Sequence, residues 1–219
     1  MSRANHTLLK DCCQKSKTFH NENCIVDTPI TEPERSSIAL RLVNQTDQNV
    51  NIVIMQRNSA SEPNDQTIAW LVKSIYPHGI SSFTFEFGTD IGYDGFHRVV
   101  HSESGQTFTA VPGNLLRLGN GAGVSLRNDK STPVSANLFR NRLLVDRITD
   151  VQVGDTADFR LNPTFYLGNF SGIIQGQVLS NAEISLFNTQ ISILGIKSAD
   201  INITFNSVFS FSLSNIVYS

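Results

Sequence analysis

The sequence predicts an all-β protein, an antiparallel, jelly-roll-like β-sandwich that follows a flexible N-terminal arm. Many short segments alternate apolar and polar residues with a period of two, which is typical of half-buried strands. Gly, Asn and Pro separate these segments at intervals of roughly 8–12 residues, as in sandwiches and barrels. Only residues 133–148 have any helical periodicity, and a strand is preferred there because RLLVD fits one equally well.

The composition supports one folded body and argues against two classes of partner. The chain has 219 residues, of which 40% are hydrophobic, enough for a core. Charged residues make up only 16%, against about 25% in typical soluble domains. The net charge of −2 gives no reason to expect binding to nucleic acid or to an anionic membrane. No apolar run approaches the ~20 residues of a membrane-spanning helix.

Residues 1–36 are predicted to be an arm or linker, and residues 37–219 a β-sandwich domain. The first segment is polar and aperiodic, and Pro29 and Pro33 near its end favour an extended chain. Its first residues, MSRANHTLLKDCC, lack the apolar core of a signal peptide. We therefore expect synthesis in the cytoplasm, with the cell surface or the extracellular space reached only after assembly.

The strands of the domain can be placed in order along the chain. SIALRLV alternates, and NVNIVIM contains consecutive apolar residues at 52–55, as in a strand buried on both faces. SSFTFEFG places Phe83, Phe85 and Phe87 on one face. Further short strands are predicted at residues 107–111, 115–118, 124–126, 143–148, 151–153, 159–161 and 165–167.

The C-terminal segment has an apolar face but almost no charge. In INITFNSVFSFSLS the opposite face consists mainly of Ser, Asn and Thr. The apolar positions are Ile201, Ile203, Phe205, Phe209, Phe211 and Leu213. Soluble sheets usually protect an exposed edge with Lys, Pro or a bulge. Strands without such protection are expected to lie inside a sheet or to pair with another chain.

The stretch TIAWLVKSIYPHGISSFTFEF resembles the rhizosphere-expressed RhiA-type family of plant-associated bacteria. An Ala-Trp pair, a Lys three residues after the Trp, Tyr-Pro and an alternating Phe strand carry the resemblance. SIALRLVNQTDQNVNIVIMQ and DFRLNPTFYLGNFSGIIQGQVL are similar to further segments in the same order, so that residues 37–213 are covered. The resemblance implies a compact all-β protein that is not known as an enzyme.

No arrangement of residues predicts an enzyme, a cofactor or a metal site. There is no G-x-S-x-G motif and no evident nucleophile with a neighbouring base. His97 and His101 have the spacing of a helical zinc site, but on a strand they lie ~13 Å apart at ~3.3 Å per residue. GNGAG at residues 119–123 lacks the Lys-Ser/Thr of a phosphate loop and is interpreted as a hairpin turn.

The polar segment GTDIGYDG, residues 88–95, is interpreted as a loop and as the first candidate for a ligand site. The candidate residues are Asp90, Tyr93, Asp94, Phe96 and His97. Aromatic and carboxylate side chains together suit a sugar or another small polar ligand. Two acidic residues are too few for a calcium loop, which needs more oxygen ligands.

One region is rich in basic residues. They are Arg117, Arg127, Lys130, Arg140, Arg142 and Arg147, opposed by only two acidic residues. Interleaved aromatic residues are nearly absent, so the region does not favour nucleic-acid binding. A solvated face, or a patch that meets an acidic neighbouring subunit, is the preferred interpretation.

All three cysteines, Cys12, Cys13 and Cys24, lie in the arm. One hypothesis is that they stay reduced in the cytoplasm. Another is that they cross-link neighbouring subunits, since a bridge between adjacent residues is strained and an odd number leaves one unpaired. A zinc site with His20 is a third, with a spacing that matches no common pattern. In these few residues the arm is similar to those of disulfide-linked spore-appendage subunits.

These observations predict a non-catalytic structural protein that associates with itself into filaments, inclusions or surface assemblies. The arm would contact or cross-link neighbouring subunits, and 36 extended residues could span ~100 Å. The alternative is a lectin-like or host-surface-binding β-sandwich, with carbohydrate as the partner. An unrecognised enzyme ranks last.

Overall fold

The structure is a computed structural model that describes residues 37–60, 63–94, 96–102, 106–111, 114–120 and 123–218. Side chains are described for these residues except 96–102, 106–109, 111 and 114–120. The predicted arm and its cysteines lie outside the described residues. Nearly all regular structure in the described chain is β, which confirms the predicted fold class. The jelly-roll form of the sandwich stays a prediction.

In the described part of the chain, the strands follow one another with a single short helix among them. The strands up to residue 128 are β1 (Ser37–Asn44), β2 (Val50–Met55), β3 (Asp65–Thr67), β4 (Leu71–Ile75), β5 (Ile80–Glu86), β6 (Thr89–Tyr93), β7 (Phe96–Ser102), β8 (Gln106–Val111), β9 (Asn114–Asn120) and β10 (Val124–Asn128). They are followed by β11 (Val134–Arg140), β12 (Leu143–Val151), β13 (Thr156–Phe159), β14 (Thr164–Asn169), α1 (Asn181–Ser185), β15 (Thr189–Ser192), β16 (Ile196–Asn206) and β17 (Val208–Tyr218).

Two four-stranded sheets share the largest hydrophobic core. Their strand orders are β17-β16-β1-β5 and β15-β14-β2-β4. The alternating residues of β1 and β16 put Leu40, Leu42 and Ile201 into this core, where they meet Ile52 and Phe165 from the other sheet. The period-two pattern therefore predicted the buried face of these strands correctly, because successive side chains point to opposite faces.

A second core lies between the other two sheets, whose orders are β3-β12-β11-β6-β7 and β13-β10-β8-β9. It is built around Ile91, Leu138, Leu126 and Phe159, all of them buried. Leu161 packs against both cores. The segment from 133 to 148 contributes β11 and β12, so the preference for strand over helix is confirmed there.

The outer face of β2 is covered by a third, smaller cluster. Val53 and Met55 pack with Leu179 and Phe187, which flank α1. This cover explains why β2 is buried on both faces, as its run of apolar residues predicted. The helix itself begins with a capping box, in which Ser180 Oγ accepts the Glu183 N–H at 3.2 Å and Glu183 Oε2 accepts the Ser180 N–H at 2.6 Å.

Several local predictions were wrong. Residues 89–93 form β6 rather than a loop, and GNGAG does not make a hairpin turn, because β8 lies between β9 and β10. β10 instead runs parallel to β8, and β1 runs parallel to β16. Strands were also predicted at residues 151–153 and 159–161, but β12 ends at Val151 and β13 ends at Phe159. No helix among the described residues is long and apolar enough to cross a membrane.

Candidate functional site

The strand β17 lies at the edge of its sheet. In the described part of the chain its only hydrogen-bonded neighbour is β16. In an antiparallel pair every second residue turns its N–H and C=O toward the partner, and the residues between them turn theirs away. One side of β17 therefore presents backbone donors and acceptors that no described strand occupies.

The β16–β17 hairpin is regular over its distal half. Thr204 pairs with Ser210, Ile203 with Phe211 and Ile201 with Leu213. The turn is very tight because Ser207 adopts a left-handed conformation with φ of 66°. This register places apolar residues opposite one another on the inner face and small polar residues on the outer face.

The inner face of this edge is only half covered by the core. Phe209, Phe211 and Leu213 pack against the larger core while remaining partly accessible. Phe205 is 45% exposed, and its ring lies 4.8 Å from that of Phe209. An edge strand with accessible aromatic side chains has apolar area that pairing with a further strand would bury.

Protection of the edge is confined to its last residues. The register shifts between the pairs Ser198–Val217 and Asp200–Ser214, and Asn215 has φ of 49°, which is the geometry of a bulge. Residues 208–214 contain no charge, no proline and no bulge. The usual devices against edge-to-edge pairing are therefore missing from a stretch long enough to pair.

A charged cluster fixes the base of the hairpin. Arg41 Nε and Nη2 donate to Asp200 Oδ1 and Oδ2, each at 2.6 Å, and Asn215 Nδ2 donates to Asp200 Oδ2 at 2.7 Å. The hydrogen bonds from Arg41 hold the pKa of Asp200 below its usual value, against an opposing effect of burial. The cluster joins β1, β16 and β17, so it positions the edge strand without covering it.

The predicted ligand residues are placed very differently from one another. Asp90 and Tyr93 lie on β6 and are buried, at 3% and 2% exposure. Asp94 occupies a turn with φ of 46°, where its Oδ1 accepts the Ser135 N–H at 2.8 Å. Phe96 and His97 belong to β7, and their side chains lie outside the described ones. A sugar site built on these residues stays a prediction, with two of the five withdrawn from the surface.

Of the basic residues, the structure withdraws Arg140 from a solvated face. For the others, a solvated face or a patch that meets an acidic neighbouring subunit stays a prediction. Arg140 lies at the end of β11 and is only 3% exposed, with its guanidinium over the Phe85 ring and hydrogen-bonded to Gln56. Arg127 pairs with Asp129 at 2.9 Å, and Lys130 lies 3.6 Å from Asp94. Arg147 donates to Asn137 Oδ1 at 2.9 Å. The Arg117 side chain is not described, and Arg142 lies in the turn before β12.

The hypotheses of a metal site and of cross-linking rest on residues of the N-terminal arm. Among the described residues no group of His, Cys, Asp or Glu could hold a metal ion. Cys12, Cys13, Cys24 and His20 fall outside those residues, so the disulfide and zinc hypotheses stay predictions. Sequence reasoning identified the uncharged C-terminal segment but not its place at the edge, since strand order depends on long-range pairing.

No protein-family model and no curated protein matches the chain. The resemblance to the RhiA-type family therefore stays a prediction.

Proposed function

We propose that this chain is a non-catalytic structural protein that associates with itself, and that strand addition at β17 is one of its contacts. The observation that carries the proposal is the exposed, uncharged edge formed by residues 208–214. A partner strand gains main-chain hydrogen bonds along such an edge and covers the apolar side chains beside it.

A second copy of the same chain is a chemically suitable partner. Two copies of β17 paired antiparallel would extend the sheet, with Ser facing Ser outside and Phe or Leu facing the cores inside. No like charges would meet along the contact, because residues 208–214 carry none. An interface of this kind is self-complementary and closes as a dimer.

Larger assemblies need a second contact, and the cysteine-bearing arm is the proposed source. Cys12, Cys13 and Cys24 would form disulfide bonds between the arms of different copies. Once two copies are held at β17, the high effective concentration of their arms favours such bonds. A dimer contact combined with a separate arm contact extends into a filament or inclusion rather than closing.

The strand contact is tested with one lysine placed on the edge. Ser210 is exposed on β17, and Ser210→Lys places a positive charge on each of the two approaching edges. Thr204→Lys is the matched control, since Thr204 is exposed and lies directly opposite Ser210 on the interior strand β16. Molar mass is measured by light scattering during size-exclusion chromatography over a wide concentration range.

In the presence of reductant, we expect the wild type and Thr204→Lys to associate. Under the same conditions, Ser210→Lys should associate much more weakly. Without reductant, negative-stain images should show larger species that disappear when residues 1–24 are removed. A wild-type protein that stays monomeric throughout, with its thiols free, would contradict self-association. If the two lysine variants associate equally, the contact between copies does not involve β17.

A further inference from the structure

Arg140 is a buried cation held in a single position. Its Nε donates to Gln56 Oε1 at 3.0 Å, Nη1 donates to the Glu86 carbonyl oxygen, and Cζ lies 4.3 Å above the centre of the Phe85 ring. Gln56 is itself fixed, because its Nε2 donates to the carbonyl oxygens of Asn162 and Thr164 at 3.2 and 3.1 Å. The guanidinium is therefore oriented in advance rather than free to rotate.

Within the described residues, the charge of Arg140 is only partly compensated. Burial lowers the pKa of Arg140 to about 10, and the nearby negative charge of Glu86 acts in the opposite direction. The group is therefore still protonated at neutral pH. In the described chain no carboxylate forms an ion pair with this guanidinium, and its Nη2 makes no hydrogen bond there. Buried arginines are usually paired, since desolvating an isolated charge is costly.

A pocket of about 230 Å³ opens beside the guanidinium. Phe85, Phe87, Leu161 and Pro163 supply apolar walls, and Asn162 adds a polar group. The two Phe rings meet edge to face with their centres 5.6 Å apart. Leu194 also lines the pocket and is 74% exposed, so it lies at the mouth.

We propose that this pocket binds a carboxylate carried on a small apolar group. A planar guanidinium with an N–H to spare suits a carboxylate oxygen, and the aromatic and aliphatic walls suit an apolar body. The volume is below the ~300 Å³ of pockets for drug-sized ligands, so the occupant is small. The site is independent of the β17 edge, since it lies at the opposite edge of that sheet, beside β5.

Two sources could supply this carboxylate. One is a free organic acid. The other is Glu34 of the polypeptide, because Ser37 pairs with Glu86, whose carbonyl oxygen binds Arg140.

The experiment uses phenylacetate as the probe and phenylacetamide as its neutral counterpart. Isothermal titration calorimetry measures the binding of both to the full chain and to Glu34→Gln. Two further variants change the mouth at an exposed position: Leu194→Glu adds a carboxylate, and Leu194→Gln is its uncharged match. Arg140→Gln tests the guanidinium directly. If this variant does not fold because a buried group is lost, the comparison of Leu194→Glu with Leu194→Gln still tests the site.

The wild type should bind phenylacetate at least tenfold more tightly than phenylacetamide, as expected for a hydrogen bond to a charged group. Leu194→Glu should lose that preference, and Leu194→Gln should keep it. A preference that appears only in Glu34→Gln also supports the site and identifies Glu34 as its occupant. If neither the wild type nor Glu34→Gln distinguishes the acid from the amide, the proposal is overturned.

Discussion

The carboxyl groups of Asp65 and Asp146 interact across the β3–β12 strand pair, where Asp65 lies opposite Ile148 and Asp146 lies opposite Thr67. Asp146 is 1% exposed, and its Oδ1 accepts the Arg147 N–H at 2.7 Å. Asp65 Oδ1 and Asp146 Oδ2 receive no hydrogen bond from any N–H or O–H donor in the described chain. Two carboxyl groups in this relationship share a proton, because two adjacent buried carboxylates would repel each other.

Burial, together with the neighbouring carboxyl group of Asp65, raises the pKa of Asp146 to about 9. Burial also raises the pKa of Asp65. Since the folded state retains a proton that the unfolded chain gives up at about pH 4, the pair makes stability depend on pH. The contribution is fully present below about pH 4 and is lost as the pH rises toward about 9.

The variant Asp146→Asn should be more stable than the wild type at neutral and mildly alkaline pH. The amide is neutral at every pH, and its NH₂ group can donate to Asp65 in place of the shared proton. Urea denaturation followed by circular dichroism should show a smaller decrease in the free energy of unfolding between about pH 4 and about pH 9.

Asp150→Asn is the control, because Asp150 is an exposed carboxylate on the same strand. It should leave the pH dependence of the wild type unchanged. If the free energy of unfolding decreases equally with pH in the wild type and in Asp146→Asn, the pair holds no extra proton in the folded state.

Asp200→Asn should destabilise the protein at neutral pH. Arg41 holds the pKa of Asp200 below its usual value, so its contribution is present above about pH 4 and is lost as the pH falls through the lowered pKa. The difference between wild type and variant should therefore shrink in acid. Urea midpoints at neutral and acidic pH measure it, and Arg41→Gln should follow the same trend. A difference that stays constant into strong acid would contradict this assignment.

Trp70→Ala should cost about 3–5 kcal/mol of unfolding free energy. The indole is fully buried and meets the rings of Phe83 and Phe85 edge to face, with centres 6.3 and 5.8 Å apart. Trp70→Phe keeps an aromatic ring. It loses part of the ring contact and the 3.4 Å hydrogen bond from Trp70 Nε1 to the Arg140 carbonyl oxygen, so it should cost less unfolding free energy than Trp70→Ala. Urea denaturation of both variants measures the costs, and equal costs would mean that ring packing is not the cause.

Asn44→Ala should cost at least the ~1–3 kcal/mol of one unsatisfied buried group. The Asn44 side chain is 1% exposed and donates to the carbonyl oxygens of Gln48, Ile75 and Tyr76 at 2.8, 3.3 and 2.8 Å. Its Oδ1 accepts the Thr46 N–H at 3.0 Å. Gln45→Ala, at an exposed neighbour, should change the unfolding free energy by only about 0.5 kcal/mol or less. Similar urea midpoints for the two variants would contradict this role.

Local sequence patterns predicted the positions of strands far better than they predicted which strands pair with each other. The alternation around Ile201 and Phe211 identified the buried face, since a side chain's face follows from its position along the strand. The loop predicted at residues 88–95 was wrong because its Asp and Gly residues indicate a turn. β6 is nevertheless a strand between β11 and β7, and its Asp90 is buried. Pairing to two neighbours overrode a weak local preference.

Residue types and their spacing were enough to predict that the chain is built of strands, which face of several strands is buried, and that the C-terminal segment carries almost no charge. These properties reside in residue types and their spacing. Three further properties became visible only in the fold: β17 lies at an edge, Asp65 interacts with Asp146, and Arg140 is buried beside a pocket. Each of these depends on contacts between residues far apart in the chain, and strand order, not local period, brings such residues together.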